Sequence, residues 1–224
     1  MIENAEPSSL KSMFPNFVEY SFEQIGETDH ALFREEEVFV ANAIASRKNE
    51  FYSGRSAARQ ALSRLGVPPA SILVGEARSP VWPSGIIGSI SHDGGWALAA
   101  VARKQEVRAY GLDITEASTL DRNLIDFVCS LDEVMAIEEM KISNFCPFKL
   151  LFSLKESVFK CLYPLVKTYF DFKDVEIFLE PKHSSASIHF RGSNLACVDP
   201  KELDCRYSYL ESFIGSNVWI KEGR

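Results

Sequence analysis

The chain has 224 residues, of which 46% are hydrophobic and 25% are charged, and its formal net charge is −7. This composition is typical of a folded globular protein and excludes an intrinsically disordered chain. The acidic balance argues against a broad nucleic-acid-binding surface, because such surfaces carry a basic excess. It still allows a local basic pocket that binds a small anion.

Sequence signals for export, membrane insertion and disulfide formation are absent. The five cysteines are widely spaced without a CxxC pair, which favours reduced thiols over a disulfide framework or a zinc site. Residues 1–10 lack the basic and apolar regions of a signal peptide, and no apolar run approaches the ~18 residues of a membrane helix. We therefore expect a cytoplasmic protein with no transmembrane segment.

Two helices are predicted in the first part of the chain, after strand-like residues within 14–22. Apolar residues over 31–45 recur at helical spacing around an acidic group at 35–37. A second helix is predicted over 47–65, because Gly66 and two following prolines form a typical C-terminal stop. Its basic residues either bind phosphate groups or form a solvated face, and both interpretations stand for Arg47, Lys48 and Arg55 taken singly.

Strands are predicted over 88–92, 96–101 and 107–115, with a hairpin turn at 93–95. Ser91 and His92 end the first of these strands beside the two glycines of the turn. A histidine at a strand end is usually only a hydrogen-bonded polar residue. Here a hydroxyl, an imidazole and backbone amides converge, which suits a phosphate monoester.

Asp113 lies on the third predicted strand. Strict alternation places Asp113 and Thr115 on one face of that strand, away from Leu112 and Ile114. An isolated aspartate at a strand end is most often a helix cap or turn former. The alternative is a Mg²⁺ ligand, which needs a second oxygen donor nearby. Glu156 is the candidate partner.

The segment 150–162 predicts a buried helix, because its apolar residues recur at helical spacing around three charges. Glu156 and Lys160 are one turn apart on the same face, which is equally typical of an ion pair on a solvated face. Lys155 is the third charge. The other elements predicted in this half are helices over 117–128 and 131–140, and strands over 172–179, 185–190, 195–198, 204–210 and 217–221.

Four motifs give the chain a resemblance to a known family. They are RKNEFYSGRSAARQAL (47–62), PVWPSGIIGSISHDGGWALAAVA (80–102), YGLDIT (110–115) and FSLKESVFK (152–160). In this order and spacing they resemble the 4′-phosphopantetheinyl transferases, and most of all the siderophore-synthetase type (the enterobactin synthetase component D group), which is related to the surfactin type. The motifs extend over about half of the chain.

The resemblance implies an α+β fold with pseudo-twofold symmetry. Two similar subdomains, 1–105 and 106–224, would enclose a cleft that binds coenzyme A, so a monomer would hold a complete site. The implied reaction moves the phosphopantetheine arm of coenzyme A to a serine of an apo acyl or peptidyl carrier protein and releases 3′,5′-ADP. The carrier would belong to a siderophore, non-ribosomal peptide or polyketide synthetase.

The resemblance also implies roles for individual residues. Asp113 and Glu156 would bind Mg²⁺ on the pyrophosphate, and Glu156 or water on the metal would help to deprotonate the carrier serine. Lys160 would stabilise charge on the transferring phosphoryl group. The remaining residues implied to contact coenzyme A are Arg47, Lys48, Arg55, Ser91, His92 and Lys155.

Thr115 departs from the family pattern, which has a second acid at this position. Water would then fill the vacant coordination position, or a β-bulge would turn Glu116 inward. A non-catalytic paralogue that binds coenzyme A or a carrier is the alternative function. For carrier docking, we expect exposed apolar and basic residues beside the cleft, where a locally basic rim would complement an acidic carrier helix. The sequence does not assign this rim to particular residues. The segment 117–148 is a candidate docking element.

Overall fold

The computed structural model describes residues 8–26, 32–140 and 146–223. It confirms the expected α+β class, with helices and antiparallel strands mixed along the chain. The first half contains α1 (Ser8–Met13), β1 (Glu19–Gln24), α2 (Arg34–Glu37), α3 (Ala45–Arg64), β2 (Leu73–Val74), β3 (Pro80–Val81), β4 (Ile86–Asp93) and β5 (Trp96–Arg103). The second half contains β6 (Val107–Glu116), α4 (Arg122–Val128), α5 (Leu131–Glu139), α6 (Pro147–Val166), β7 (Val175–Glu180), β8 (Ser185–Phe190), β9 (Leu203–Leu210) and β10 (Phe213–Lys221).

The same order of elements occurs twice. Each half has one long strand, a 20-residue helix, a two-stranded ladder and then two strands that pair as a hairpin. The main sheets have the strand orders β1-β5-β4 and β6-β10-β9, and all their pairings are antiparallel. β1, α3, β4 and β5 therefore correspond to β6, α6, β9 and β10. The division of the chain into subdomains at residues 105 and 106 stays a prediction.

The hairpin between β4 and β5 forms where the sequence predicts it. Asp93 pairs with Trp96, which leaves Gly94 and Gly95 as a two-residue loop. Both glycines have left-handed backbone conformations, with φ of 54° and 82°, as the tight hairpin loop requires.

Helix α6 packs on β6 and β10, and its apolar stripe is buried as predicted. The buried residues of this stripe are Leu150, Leu151, Leu154, Val158 and Leu162. Close approach to the sheet depends on Gly111 in β6, because a Cβ there would lie 2.0 Å from the Ser157 carbonyl oxygen. The helix begins at Pro147, whose missing N–H costs nothing in a first turn. It ends at Lys167, which has a left-handed conformation.

Two predicted elements differ from the structure. The helix predicted over 31–45 is wrong in the described residues (Ala31 lies outside them), since only Arg34–Glu37 is helical and turns follow. Its apolar residues do not form a core-facing stripe, because Val38 and Ile44 are 69% and 74% exposed and Glu36 is buried instead. The strand predicted over 195–198 is also wrong. A 3-10 turn, Ser193–Leu195, occupies this region and buries Leu195 without ladder pairing.

Smaller boundary shifts affect other elements. The helix predicted over 117–128 begins only at Arg122, and the strand predicted over 172–179 begins at Val175 after a 3-10 turn. All five cysteines are free thiols, as predicted. In the described part of the chain, no helix has both the length and the apolar character needed to cross a membrane.

Candidate active site

A cleft of about 1120 Å³ lies between the two halves of the chain. Its first-half wall consists of strand β4 and the loop that contains Gly75 and Trp82, and its second-half wall consists of β6 and α6. Of the residues predicted for the site, the cleft is lined by Arg47, Ser91, His92, Asp113, Glu156 and Lys160. Six side chains from all four predicted motifs are thus brought to one cavity.

Asp113, Ser91 and Lys160 form a three-way hydrogen-bonded cluster inside this cleft. Asp113 Oδ1 accepts hydrogen bonds from the Ser91 hydroxyl and the Lys160 ammonium, both at 2.8 Å. Lys160 also donates to Ser91 Oγ at 3.0 Å. The three residues belong to β6, β4 and α6, so the cluster joins both halves of the chain. A buried carboxylate therefore lies beside a lysine that is only partly buried and open to the cleft.

Glu156 lies one turn before Lys160 on α6 and also lines the cleft. Burial raises the pKa of Glu156, the charge of Asp113 raises it further, and Lys160 opposes this shift. Two carboxylates close enough to repel each other fit a divalent cation, which would relieve that repulsion.

In the described residues, no group of three or more His, Cys, Asp or Glu side chains is placed to hold a metal. The protein would therefore supply two carboxylates, and Mg²⁺ commonly takes its other ligands from phosphate oxygens and water.

Thr115 points to the same buried side of β6 as Asp113, as the alternation predicts. Its hydroxyl donates to Asp93 Oδ2 at 2.8 Å, and the Glu116 backbone N–H donates to the same oxygen at 2.9 Å. The bulge considered at Glu116 is wrong. Pairing of β6 with β10 is regular at this end, and the Glu116 side chain is exposed beside the β4–β5 hairpin.

Arg47 and His92 meet at the edge of the cleft. Arg47 donates to His92 Nε2 at 2.9 Å, and Glu50 Oε2 lies 2.9 Å from Arg47 and 3.7 Å from His92 Nδ1. A guanidinium can only donate, so His92 Nε2 accepts and the ring is neutral in this arrangement. Burial lowers the pKa of His92, Glu50 opposes the shift, and the charges of Arg47 and Lys160 add to it.

Comparison with known proteins gives the family. The model of the 4′-phosphopantetheinyl transferase N-terminal domain matches residues 35–102, and the model of the 4′-phosphopantetheinyl transferase superfamily matches residues 109–207. The 4′-phosphopantetheinyl transferase Npt of Nocardia iowensis is 35% identical over 151 residues, which cover 67% of this chain and 68% of Npt. This chain belongs to the 4′-phosphopantetheinyl transferase superfamily.

Two further relatives link this member of the superfamily to the type expected from its motifs. The 4′-phosphopantetheinyl transferase PptT of Mycobacterium tuberculosis is 36% identical over 65% of this chain and 64% of PptT. Enterobactin synthase component D of Escherichia coli is 38% identical over 54% of this chain and 57% of that protein. The chain thus covers less than two thirds of the length of both relatives. The predicted resemblance to the siderophore-synthetase type is confirmed.

Three basic residues expected to contact coenzyme A are not among the residues that line the cleft. Arg55 is buried and donates from Nε to the Ile72 carbonyl at 2.7 Å, and burial lowers its pKa to about 10. Lys155 is also buried, and its ammonium is directed into the second half of the chain, away from the cleft. Lys48 is half-buried on α3. Lys155 lines a smaller second pocket and not the cleft, which argues against its contact with the phosphates, and the contacts with coenzyme A predicted for Lys155, Arg55 and Lys48 stay predictions.

A second pocket, of about 290 Å³, was not predicted from the sequence. Glu156 and Phe159 line both this pocket and the cleft, so Glu156 lies where the two cavities adjoin. The other apolar residues lining the pocket are Phe127, Tyr169, Phe170, Phe172 and Val175. The sequence signal was the density of aromatic residues from 159 to 172. Their convergence with Phe127 depends on tertiary packing.

Proposed function

We propose that this protein transfers the 4′-phosphopantetheine arm of coenzyme A to a serine of an apo carrier protein, with Mg²⁺ as cofactor and 3′,5′-ADP as the second product. Family membership supports the reaction class. The observation that carries the proposal is the cluster of Asp113, Glu156 and Lys160 at the junction of a cleft and an apolar pocket.

Coenzyme A has three chemically distinct parts, and the two cavities offer matching surroundings. The 3′-phosphate would contact Arg47 and His92, which meet at the edge of the cleft. The pyrophosphate would lie against Lys160 and the two carboxylates. The pantetheine arm would enter the apolar pocket beside Glu156. The walls of this pocket are largely aromatic and would shield the arm from water.

Asp113 and Glu156 would hold Mg²⁺, which neutralises the charge of the pyrophosphate when bound. Lys160 donates to the phosphoryl oxygens as negative charge develops on them, and Asp113 and Ser91 hold its ammonium in position. Glu156 takes the proton from the carrier serine, since its carboxylate lies where the cleft and the apolar pocket adjoin. A bond then forms between the serine oxygen and the arm's phosphorus, and the bond from that phosphorus to the 3′,5′-ADP oxygen breaks.

The carrier would be a domain of a siderophore, non-ribosomal peptide or polyketide synthetase, and the similarity to enterobactin synthase component D supports the siderophore type. Segment 117–148, of which 141–145 lie outside the described residues, stays the proposed docking element. Helices α4 and α5 do not supply the expected basic rim, whose position in the chain stays a prediction. Their exposed charged residues are Arg122, Asp126, Asp132, Glu138 and Glu139. Docking there would use exposed apolar residues, which are Leu124, Phe127, Leu131 and Met135.

A second candidate function is a non-catalytic coenzyme A-binding or carrier-binding paralogue. Thr115 favours this function, because it adds no third carboxylate to the proposed metal site. Its hydroxyl already donates to Asp93. Intact mass spectrometry of a panel of apo carrier domains, incubated with the protein, coenzyme A and Mg²⁺, separates the two functions. A phosphopantetheine mass gain establishes the transferase. Coenzyme A binding with no gain on any carrier establishes the paralogue.

A further inference from the structure

Lys155 and Glu133 form a fully buried ion pair in the second half of the chain, and both side chains have 0% exposure. The Lys155 ammonium donates to Glu133 Oε2 at 2.8 Å, to the Val128 carbonyl at 2.8 Å and to the Phe172 carbonyl at 2.9 Å. These three bonds use all of its protons. The pair is thus a closed polar network inside an apolar core, which holds its members in one arrangement.

The Glu133 carboxylate extends this network to two further segments. Oε2 also accepts the Ser130 backbone N–H at 2.7 Å, which completes the capping box of α5. Oε1 accepts the Ile177 backbone N–H at 2.8 Å and so reaches strand β7. One ion pair therefore joins α4, α5, α6, the 3-10 turn that contains Phe172, and β7.

The segments that the pair joins, except α5, line the apolar pocket. Val128 and Phe172 supply the two carbonyls, while Phe127 and Phe172 supply pocket-lining rings that meet edge to face with centroids 6.0 Å apart. Lys155 is also the residue before Glu156 on α6. The position of the pocket walls relative to Glu156 is therefore fixed through Lys155.

The first half has a corresponding ion pair around Glu36. This buried carboxylate accepts from Arg59 of α3 at 2.9 Å, from the Ile72 backbone N–H at 2.7 Å and from the Phe33 backbone N–H at 3.0 Å. Ile72 leads into β2 and the cleft wall that begins at Gly75. This pair therefore supports the wall at the nucleotide end of the cleft and not the apolar pocket.

We propose that Lys155 and Glu133 are positioning residues that set the apolar pocket for the pantetheine arm, whereas the Glu36–Arg59 pair supports the nucleotide end. The inference rests on the proposed function, because it takes coenzyme A as the ligand. It gives Lys155 a role through the pocket walls in place of contact with phosphate. The affinity difference between coenzyme A and 3′,5′-ADP, which lacks the arm, measures that role.

Calorimetric titration with coenzyme A and with 3′,5′-ADP tests the proposal on the wild type and four variants. For Lys155→Met and Glu133→Gln we expect coenzyme A affinity to fall about tenfold while 3′,5′-ADP affinity stays within about twofold. Lys155→Arg, which keeps the charge, should recover part of this loss. Glu36→Gln is the matched control, and it should weaken both ligands by the same factor.

Phe127→Ala keeps the test decisive if a variant of the buried pair does not fold. Its side chain is 62% exposed, and its removal opens the pocket wall without breaking the ion pair. We expect the same selective loss of coenzyme A affinity. Equal losses for both ligands in Lys155→Met and Glu133→Gln, or no loss, would overturn the inference. If the wild type binds neither ligand, the proposed function itself fails, which is a distinguishable result.

Discussion

Helices α3 and α6 hold the same place in the two halves, but only α6 carries charges that suit phosphoryl transfer. Arg55 of α3 and Lys155 of α6 both donate to a carbonyl of the segment before a two-stranded ladder, at Ile72 and Phe172. The residues that follow them differ in chemistry. Ser56 in α3 corresponds to Glu156 in α6.

The contacts from each helix to its sheet show the same difference. Gln60 of α3 accepts from Ser21 of β1 at 3.0 Å, whereas Lys160 of α6 donates to Asp113 of β6 at 2.8 Å. β1 and β6 are the corresponding strands, so one contact is neutral and the other charged. The two halves thus share the same arrangement of helix and strands. At equivalent positions the second half has charged residues where the first half has neutral ones, so the proposed chemistry lies in the second half alone.

Replacing Asp113, the acid in the charged contact between α6 and β6, should have the largest effect on activity. Asp113→Asn removes a carboxylate from the proposed metal site and a partner from Lys160. We expect the rate of transfer to a carrier domain to fall about 10²- to 10³-fold, as for loss of a group that stabilises transition-state charge. Ser21→Ala, the corresponding change in the neutral contact, should leave the rate unchanged. A comparable loss in both variants would contradict the asymmetry.

The second-largest difference between the two halves should come from adding a methyl group where each long helix approaches a strand. The Cβ in Gly111→Ala would meet the Ser157 carbonyl at 2.0 Å and push α6, with Glu156 and Lys160, away from β6. We expect the free energy of unfolding to fall by about 3 kcal/mol, together with a loss of activity. Chemical denaturation and the transfer assay measure the two effects.

Gly54→Ala is the matched change in α3, where the new Cβ would meet the Ile90 Cγ2 methyl group at 3.1 Å, a far milder contact than 2.0 Å to a backbone carbonyl. Its packing cost is offset by the higher helix propensity of alanine, worth about 1 kcal/mol. We therefore expect a change in unfolding free energy below about 1 kcal/mol. If Gly54→Ala proves as damaging as Gly111→Ala, helix approach is equally strict in both halves.

The pH dependence of ligand binding tests the contribution of the first half. Burial holds the pKa of His92 below its ordinary value of ~6.5, so the free protein keeps the ring neutral below that pH. A phosphate beside the ring favours its charged form, so coenzyme A binding should take up a proton near pH 6. Calorimetry in two buffers with different ionisation enthalpies measures this uptake. His92→Gln should abolish it, and His183→Gln, at an exposed site, should retain it.

The same lowered pKa affects stability. Because the unfolded chain accepts a proton on His92 more readily than the folded protein, stability should decline as pH falls below ~6.5. The decline should be smaller in His92→Gln. An unchanged decline would show that other groups determine the acid sensitivity.

Restoring an acid at Thr115 should have the smallest effect. Thr115→Glu alone places a carboxylate against Asp93, which now accepts the Thr115 hydroxyl. We expect Mg²⁺ affinity to change by less than about twofold, because repulsion offsets the added ligand. Combining it with Asp93→Asn should raise the affinity about threefold. Titration with Mg²⁺ in the presence of coenzyme A measures this, and a large gain from Thr115→Glu alone would contradict the role assigned to Asp93.

The sequence predicted the residues that line the site better than the buried contacts that hold the surrounding segments in place. Asp113, Thr115 and Glu156 could be placed because strand alternation and helical spacing fix which side chains share a face. The direction of the Lys155 side chain could not be read from its local pattern, which resembles that of Lys160. Only the partners at Val128, Glu133 and Phe172, distant in sequence, direct it into the core.

The elements predicted wrongly share one physical cause. At 31–45 and 195–198 the apolar spacing was correct for a regular element, but tertiary contacts decided the conformation. Glu36, not the apolar residues beside it, is the residue drawn inward, because Arg59 and Ile72 lie ready to pair with it. The element order of the two halves was visible only loosely in sequence, since the corresponding contacts are made by different residue types.

The central claim is that the second half performs the chemistry while Arg47 in the first half only binds ligand. The most direct test is the single-turnover transfer rate to an apo carrier domain at rising coenzyme A concentration, for Arg47→Gln and Glu156→Gln. We expect saturating coenzyme A to restore the wild-type rate in Arg47→Gln and to leave Glu156→Gln at least about 10²-fold slower than the wild type. Recovery of Glu156→Gln at saturation, or a persistent defect in Arg47→Gln, would contradict it.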